Sequence, residues 1–593
     1  MSLAPPKLDL DGMPLVVLSV YGREAVNELY DIDVTATSAT ELELDRSLLG
    51  RPGSVLFPAA QPRRRRIDGI VTRCEFAVRS GHRDRPRFAY RVRLRPIAWR
   101  LAERMNSRVF QDASLRDIVE TLLTEHQPPF RWLAAAMGEP CEYVVQYEES
   151  DWTFVTRLMA EAGVFFFFEP SETQGDVLVL ASSEGHYPDL DGRELVLPYR
   201  ARFDGPGDAP AISDSALHQQ LLPERVVARA YDYRQPLRTI EQTAQFDESS
   251  SHREQFVHHL EYEDRVDESL AAMANTRLGQ ERRDIRVMTT TSNSPLARPG
   301  HCLTVVDHPV SAFNGRWVPT AMVHEVADGG VYQSELRLVP ADTPYRSAAP
   351  PRRTVQVTES ATVVGPSAGA IHTDEFGRVK IRFHWDRRTN SPRHASCWVR
   401  TLQQSVGPQW GAQFIPRVGT EVAVTFVGGD PDRPMVLGQL RNPIHPPPFG
   451  PPAQQTRSGW RTRSTSSADL ADGPAAPSGY HELSFEDAQG HEEIYLRSEG
   501  ALREQVQRDH RTTVGGDRNL SIRGATEESS TVRSSGFTGP GCARPTRNPA
   551  FRTSKRTMCT TLKAAFPRPF GVTSSKRSMA LIGALSRAPL PCS

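Results

Sequence analysis

Residues 372–442 read HTDEFGRVKIRFHWDRRTNSPRHASCWVRTLQQSVGPQWGAQFIPRVGTEVAVTFVGGDPDRPMVLGQLRN. Short stretches alternate as strands do: Val379-Ile381-Phe383, Trp398-Arg400, Val422-Val424-Phe426 and Met435-Leu437. Gly, Asp and Pro separate them, the residues that supply turn geometry. About five short strands in roughly 70 residues is the pattern of a small closed barrel of OB size.

The segments Asp374-Glu375-Phe376-Gly377-Arg378-Val379, Phe383-His384-Trp385-Asp386, Ser396-Cys397-Trp398-Val399-Arg400, Ile415-Pro416-Arg417-Val418-Gly419 and Gly429-Asp430-Pro431-Asp432-Arg433-Pro434 follow one another in this stretch. Each is weak singly. In this order and spacing they resemble the VgrG family, the spike proteins of type VI secretion systems, which are related to the hub and needle proteins of contractile phage tails. The resemblance runs over about residues 10–524. It implies a mainly β, trimeric chain. Residues 1–350 would form a hub-like platform of two similar barrels with a mixed α+β insertion. An OB-fold barrel would follow over 358–442, then a linker over 443–478 and the start of a β-helix needle over 479–524.

A chain of 593 residues is too long for one core. Its 71 basic and 71 acidic residues cancel, so global charge points to neither nucleic acid nor an anionic membrane. No apolar stretch nears the roughly 18 residues of a membrane-spanning helix. The opening MSLAPPKLDLDGMPLVVLSV carries acidic residues in its first apolar stretch, so a secretory signal is not expected. Cys74, Cys141, Cys302 and Cys397 are isolated, and read as buried thiols in a reducing compartment. Cys542, Cys559 and Cys592 crowd into the last 52 residues.

Residues 8–110 read mostly as strands, with clean alternation over Tyr30–Thr35 and Phe88–Leu94. Leu115, Ile118, Val119, Leu122 and Leu123 then fall at helical spacing behind the cap residue Ser114, and Pro128-Pro129 stops the helix. A second helix is predicted from Asp151 to Ala162, with Ser150 as N-cap and Gly163 just past its end. The run Val164-Phe165-Phe166-Phe167-Phe168 must be a buried or paired strand, because exposed it would aggregate. Residues 170–350 alternate strands and turns, with one helical stretch near Asp267–Arg283.

The Pro-, Gly-, Ser- and Ala-rich segment 443–478 reads as a linker. Phage needle proteins related to the family hold a lysozyme domain here, and about 36 residues cannot bury an enzyme core. Strands follow over 480–487 and 490–496. Then an eight-residue period appears, Asp509–Gly516 and Asp517–Gly524, with Val514 and Ile522 at the apolar position. Each unit is too poor in apolar side chains to fold alone, so it must stack on neighbours or on other chains. In needle-like relatives three chains intertwine, so the short period implies a trimer. The next unit, Ala525–Val532, breaks the pattern. Beyond Glu528 there are eleven Lys and Arg and no acidic residue. Residues 525–593 are therefore read as aberrant: either translated out of frame after a frameshift near codons 525–535, or a basic disordered tail.

Several residues invite chemistry. Gly365-Pro366-Ser367-Ala368-Gly369 matches the G-x-S-x-G nucleophile elbow, but a strand rather than a helix is expected after Ser367. His372, His384, His394 and Cys397 lie within 26 residues at a spacing that fits no zinc site, and His384 reads as a hydrogen-bonded structural residue of a strand. Arg63-Arg64-Arg65-Arg66 opens a segment with 14 arginines between positions 63 and 104. It holds few aromatic residues for stacking on nucleic acid, and is read as an exposed or inter-subunit sheet face. No catalytic, cofactor-binding or metal-ligating residue is assigned.

The resemblance then implies a non-enzymatic homotrimeric spike. It would cap an Hcp tube hexamer, meet baseplate components, and carry a PAAR-repeat tip protein and effectors with their adaptor or chaperone. Sheath contraction would drive it through a target membrane, a transient contact. It would be assembled in the bacterial cytoplasm and exported without a signal peptide, with no cofactor and no nucleic-acid partner. Two alternatives stay open: a tail hub-spike of a phage or prophage, and a spike with a C-terminal effector activity.

Overall fold

The computed structural model describes residues 6–38, 48–58, 64–79, 87–134, 139–171, 175–182, 187–203, 208–246, 253–259, 266–327, 331–343, 345–348, 354–387, 395–465 and 479–527. The chain divides into two compact units, residues 1–503 and 504–593.

The first unit begins with six strands: β1 (Lys7–Leu10), β2 (Met13–Ala25), β3 (Asp31–Ser38), β4 (Pro52–Pro58), β5 (Arg64–Arg79) and β6 (Arg87–Arg95). They run in the order β1-β4-β5-β6-β3-β2, and β1 also pairs with β2, so the sheet closes on itself. Closure removes the free edges that exposed strands would offer to other chains. Leu8, Ile32, Val34, Val55, Phe57, Ile67, Val92 and Leu94 fill the interior, every second residue of each strand.

An α+β insertion follows: β7 (Met105–Ala113), α1 (Leu115–His126), β8 (Phe130–Trp132), β9 (Cys141–Ser150), α2 (Asp151–Glu161), β10 (Val164–Ser171) and β11 (Gly175–Ser182). Both helices start where the caps predict. Ser114 accepts from the Asp117 N–H while the Asp117 carboxylate reaches back to the Ser114 N–H, a reciprocal capping box. Ser150 accepts from the Thr153 N–H. Ile118, Val119, Leu122 and Leu123 of α1 are all buried, as their spacing requires. The phenylalanine strand β10 is paired with β11, and Phe165, Phe166 and Phe167 are buried.

Next come β12 (Val196–Pro198) and β13 (Ile212–Gln219), then a second insertion of β14 (Arg225–Ala230), β15 (Ile240–Gln245), β16 (Glu254–His259) and α3 (Val266–Arg282). The chain continues through β17 (Arg286–Ser292), β18 (Leu303–Val306), β19 (Gly315–Val326) and β20 (Tyr332–Pro340). The order β12-β18-β19-β20-β17-β13, joined by the Tyr199–Ile212 bridge, makes a second six-stranded closure. The two closures share a seam, β2 against β19. The double barrel implied by the family resemblance is thus present. It carries two insertions rather than one, because α3 packs on its own sheet of β14–β16 around Val226, Ala228, Ile240 and Leu270.

The small barrel comprises β21 (Glu359–Val364), β22 (Lys380–Phe383), β23 (Arg400–Thr401), β24 (Val406–Gly407), β25 (Trp410–Gly411), β26 (Glu421–Phe426) and β27 (Pro434–Gln439). Its order is β22-β21-β26-β27-β23, closed by the Val379–Val399 bridge, with β24–β25 as a separate hairpin. Val379, Ile381, Phe383, Val422, Val424 and Phe426 point inward as expected. Two other strands are in the opposite phase: Val399 and Val436 are buried, whereas Trp398, Arg400, Met435 and Leu437 lie on the outer side.

A three-stranded sheet, β28 (Arg457–Arg461), β29 (Glu482–Glu486) and β30 (Glu493–Arg497), completes the unit. Strand β28 lies inside the segment expected to be a linker. Of the second unit, residues 504–527 are described. They form no strand, and Val506, Val514, Leu520 and Ile522 are exposed, as unstacked octads must be. The aberrant tail over 528–593 lies outside the described residues.

Candidate functional site: a seam, a joint and an open apolar face

Three places concentrate buried charge or unpaired apolar surface. The first is the seam between the large barrels. Glu24 of β2 receives Arg65 Nη2 of β5 at 2.6 Å and faces His324 Nε2 of β19 at 2.7 Å. His324 Nδ1 meets the Tyr332 hydroxyl of β20 at 2.8 Å. Burial alone would raise the Glu24 carboxyl; the Arg65 charge and the His324 contact outweigh it and hold it well below the usual carboxylate range. Arg65, expected on an exposed or inter-subunit face, is therefore a core residue, 2% exposed. Its neighbours Arg91, Arg93 and Arg95 do face outward, tied to Asp31 and Asp33 in a cross-strand ladder. Arg63 lies outside the described residues.

The second place is the joint between the insertions and the small barrel. Tyr143, Val145 and Tyr147 of β9 share one apolar core with Val355, Phe383, Phe426 and Val436. Asp432 Oδ1 accepts the Val145 N–H at 2.6 Å, and Glu359 accepts from the Tyr147 hydroxyl. From the second insertion, Tyr233 meets the Arg378 guanidinium, and Arg400 lies over its ring at 4.5 Å. Behind the joint, Arg108 is 1% exposed and anchored by Asp151 at 2.6 Å and Gln146 at 2.6 Å. Burial would raise Asp151; its hydrogen bonds from Gln146 and His126 and the Arg108 charge bring it below its ordinary value.

The third place is the β28–β29–β30 sheet. Register puts Trp460, Leu483 and Leu496 side by side, and Ser458, Phe485 and Ile494 beside them on the same face. Trp460 is 52% exposed, Leu496 59% and Ile494 73%. The opposite face is polar yet covered: Glu482 and Ser484 are buried, Glu482 pairs with Arg461 at 2.7 Å, and Arg457 and Arg461 lie over Phe449. The usual sidedness is inverted. An exposed apolar face of this kind marks a contact surface.

The residues that invited chemistry are not assembled into one centre. Ser367 is buried in a turn after β21, and no helix follows it. His372 packs on the Trp398 ring at 5.0 Å. His384 lies just past β22 and is exposed, not the hydrogen-bonded strand residue expected. Burial pushes the Cys397 thiol up to about 12, which keeps the free thiol protonated. His394 lies outside the described residues, as do Cys542, Cys559 and Cys592. Of the four thiols expected to be buried, Cys302 is, whereas Cys74, Cys141 and Cys397 are part-buried.

Comparison with known proteins agrees with this architecture. Residues 23–330 match the phage tail baseplate hub (GPD) family model, 360–440 the type VI secretion system/phage-baseplate injector OB domain, and 458–535 the bacteriophage T4 gp5 C-terminal trimerisation domain. The chain is 30% identical to the type VI secretion system spike protein VgrG4b of Pseudomonas aeruginosa, over 87% of this chain and 64% of that protein. It is 31% identical to the actin cross-linking toxin VgrG1 of Vibrio cholerae, over 79% of this chain and 42% of that protein. It thus spans less than two thirds of either relative. A solved structure, the E. coli c3393 protein, described as a type VI secretion component similar to T4 bacteriophage tail proteins gp27 and gp5, shares the fold. Its TM-score is 0.54 at 23% identity, over 73% of this chain and 99% of that one. The family-model match covers more than half of the sequence. The chain belongs to the phage tail baseplate hub (GPD) family.

Proposed function

We propose that this chain is the structural spike of a type VI secretion system, working as a homotrimer without chemistry of its own. The observation that carries the reading is the inverted β28–β29–β30 sheet. Three copies facing inward bury Trp460, Leu483, Phe485, Ile494 and Leu496 against one another and leave the Arg–Glu face outward. Each such apolar side chain contributes about 1.5–3 kcal/mol when fully buried. A small sheet draws its stability from burying a hydrophobic face, and in this reading the trimer is what buries this one and makes the segment rigid.

In this reading the double barrel seats on an Hcp tube hexamer and against baseplate components, and the needle carries a PAAR-repeat tip and effectors delivered by an adaptor or chaperone. The trimer is assembled in the cytoplasm, leaves without a signal peptide, and contacts the target membrane only during puncture. Residues 358–442 act as the collar between platform and needle. The toxin activity named for the Vibrio cholerae relative is not carried over, because the chain spans under half of that protein.

A secreting strain stripped of its own spike genes tests this. Supplying the chain should restore Hcp to the culture supernatant, and Trp460→Asp should abolish the restoration. No Hcp export with the intact chain stably expressed overturns the reading.

A further inference from the structure

Between β23 and β26 the small barrel sends out an arm, residues 402–416, LQQSVGPQWGAQFIP. Its root is clipped by one amide: Gln403 Oε1 accepts the Phe414 N–H at 2.9 Å and Gln403 Nε2 donates to Phe414 O at 3.3 Å. Strands β24 and β25 pair Val406 with Gly411 and Gly407 with Trp410, and the Ala412 N–H donates to Ser405 O at 2.9 Å. Pro408-Gln409 makes the tip, with Gln409 in the left-handed region at φ +61°. The Trp410 ring lies across Gly407, in the space a Cβ there would fill.

This order leaves the arm's apolar side chains in water. Val406 is 75% exposed, Trp410 64%, Leu402 57% and Phe414 49%. The Leu402 N–H donates to Val436 O at 2.8 Å, one residue past the pairing of Thr401 with Val436. That register sets Leu402 beside the exposed Leu437 of β27, so the apolar surface runs from the arm onto the barrel wall. A two-stranded hairpin is marginal by itself in water, and exposed apolar area of this kind marks a contact surface. All fifteen residues of the arm are uncharged, in a chain of which 24% is charged. Depletion of charge around an aromatic anchor is the composition of an interface core.

What covers the arm follows from where its root is tied. Arg417, the residue next after the uncharged run, donates to Gly369 O at 3.2 Å and to Arg463 O at 2.9 Å. Arg463 continues β28, whose ladder is prolonged by the Thr462 N–H on His481 O at 2.9 Å. The arm is thus fixed to the β28–β30 sheet and travels with it into the trimer. There each chain offers the same surface to the next, so like charges would crowd and repel, and a neutral arm meets no such cost. We propose that the arm 402–416 is an interchain strap: in the trimer it lies on the neighbouring copy of this chain, with Trp410 and Val406 as its anchors. The strap rests on the trimer reading and adds to it a second contact, made by the small barrel. Because the arm is ordered in advance, docking loses little further freedom.

Photo-crosslinking of the purified full chain, with p-benzoylphenylalanine in place of Trp410, tests it beside light scattering on the same sample. Irradiation should give denaturing-gel bands of two and three chain masses. In a dilution series, Trp410→Glu and Val406→Glu should each raise the concentration at which the trimer half-dissociates by about tenfold or more. Neither side chain is buried within one chain, so the thermal midpoint of the dilute protein should stay where it is. A sample that scatters as a trimer but crosslinks only within single chains, or not at all, overturns the strap and leaves the trimer reading standing. Glu variants that dissociate at the wild-type concentration do the same. A wild-type chain that scatters as a monomer removes the trimer reading and the strap with it.

Discussion

Glu24 and His324 are 300 residues apart in sequence and 2.7 Å apart across the seam of the two large barrels. With Arg65 they form a linked set: one carboxylate, one guanidinium and an imidazole that reaches on to Tyr332. All of it is out of water, so each member depends on the others. Glu24→Ala leaves Arg65 buried without its carboxylate and should cost about 3–5 kcal/mol. The double change Glu24→Met with Arg65→Met removes both charges and should recover most of that loss. Denaturant melts of the three proteins measure it; a single variant as stable as wild type would show that the seam does not rely on the pair.

The same seam sets an acid limit. The Glu24 carboxyl is depressed in the folded chain, as is Asp151 behind the joint. A depressed carboxylate contributes stability that is complete above its unfolded value, near ~4, and drains away as pH falls toward its folded value. Thermal midpoints should therefore drop steeply below about pH 4. In Asp151→Asn the drop should be shallower, from a lower starting stability.

How much of this was legible depended on how local the cause was. Ser114 and Ser150 cap their helices because a cap and its N–H lie three residues apart, a relation any reader of the sequence can see. Val379, Ile381 and Phe383 alternate with polar residues, so the inward face is unambiguous. Met435-Val436-Leu437 is apolar on both sides, and alternation cannot say which side is in; Val436 went inside. Arg65 stood in a run of four arginines and read as a wetted face. Its partner Glu24 lies 41 residues away, and the second partner of Glu24, His324, is on a strand of the other barrel. A buried charge is recognisable only through its partner, and a partner that distant leaves no local trace. The open face of β28–β30 was half visible: Leu483, Phe485, Ile494 and Leu496 fall in two strands, but Trp460 sits in a stretch whose Pro and Gly content masked a strand.

That face makes a sharp prediction on assembly. Trp460→Asp or Ile494→Asp places a charge where three chains meet, at a cost of several kcal/mol for each buried, unpaired carboxylate. Light scattering should give a trimer for the wild-type chain, or a monomer–trimer mixture at low concentration, and a monomer for either variant. Glu493→Lys, on the outer polar face, should leave the trimer intact. A wild-type chain that remains monomeric and folded at micromolar concentration would remove the basis for the assembly.

Gly300 fixes how the phenylalanine strand meets the second barrel. Its φ is +79°, and a Cβ there would stand 2.5 Å from Phe167 Cγ. The Gly300 N–H donates to Pro319 O at 2.9 Å, which ties the turn to β19, while Phe167 lies edge-on to His301 at 5.2 Å. Any other residue meets two obstacles at once. A left-handed backbone costs about 1–2 kcal/mol, and overpacking a filled core about 1–3 kcal/mol. Gly300→Ala should therefore destabilise the chain by about 2–4 kcal/mol. Phe167→Leu in the same background keeps the Cβ and Cγ that a Cβ at position 300 would meet, so it should return little of the loss. A thermal shift of Gly300→Ala no larger than that of an exposed control such as Gly12→Ala, where φ is also positive but nothing lies within 4 Å, would mean that Phe167 can move aside and that the strand is not seated by this contact.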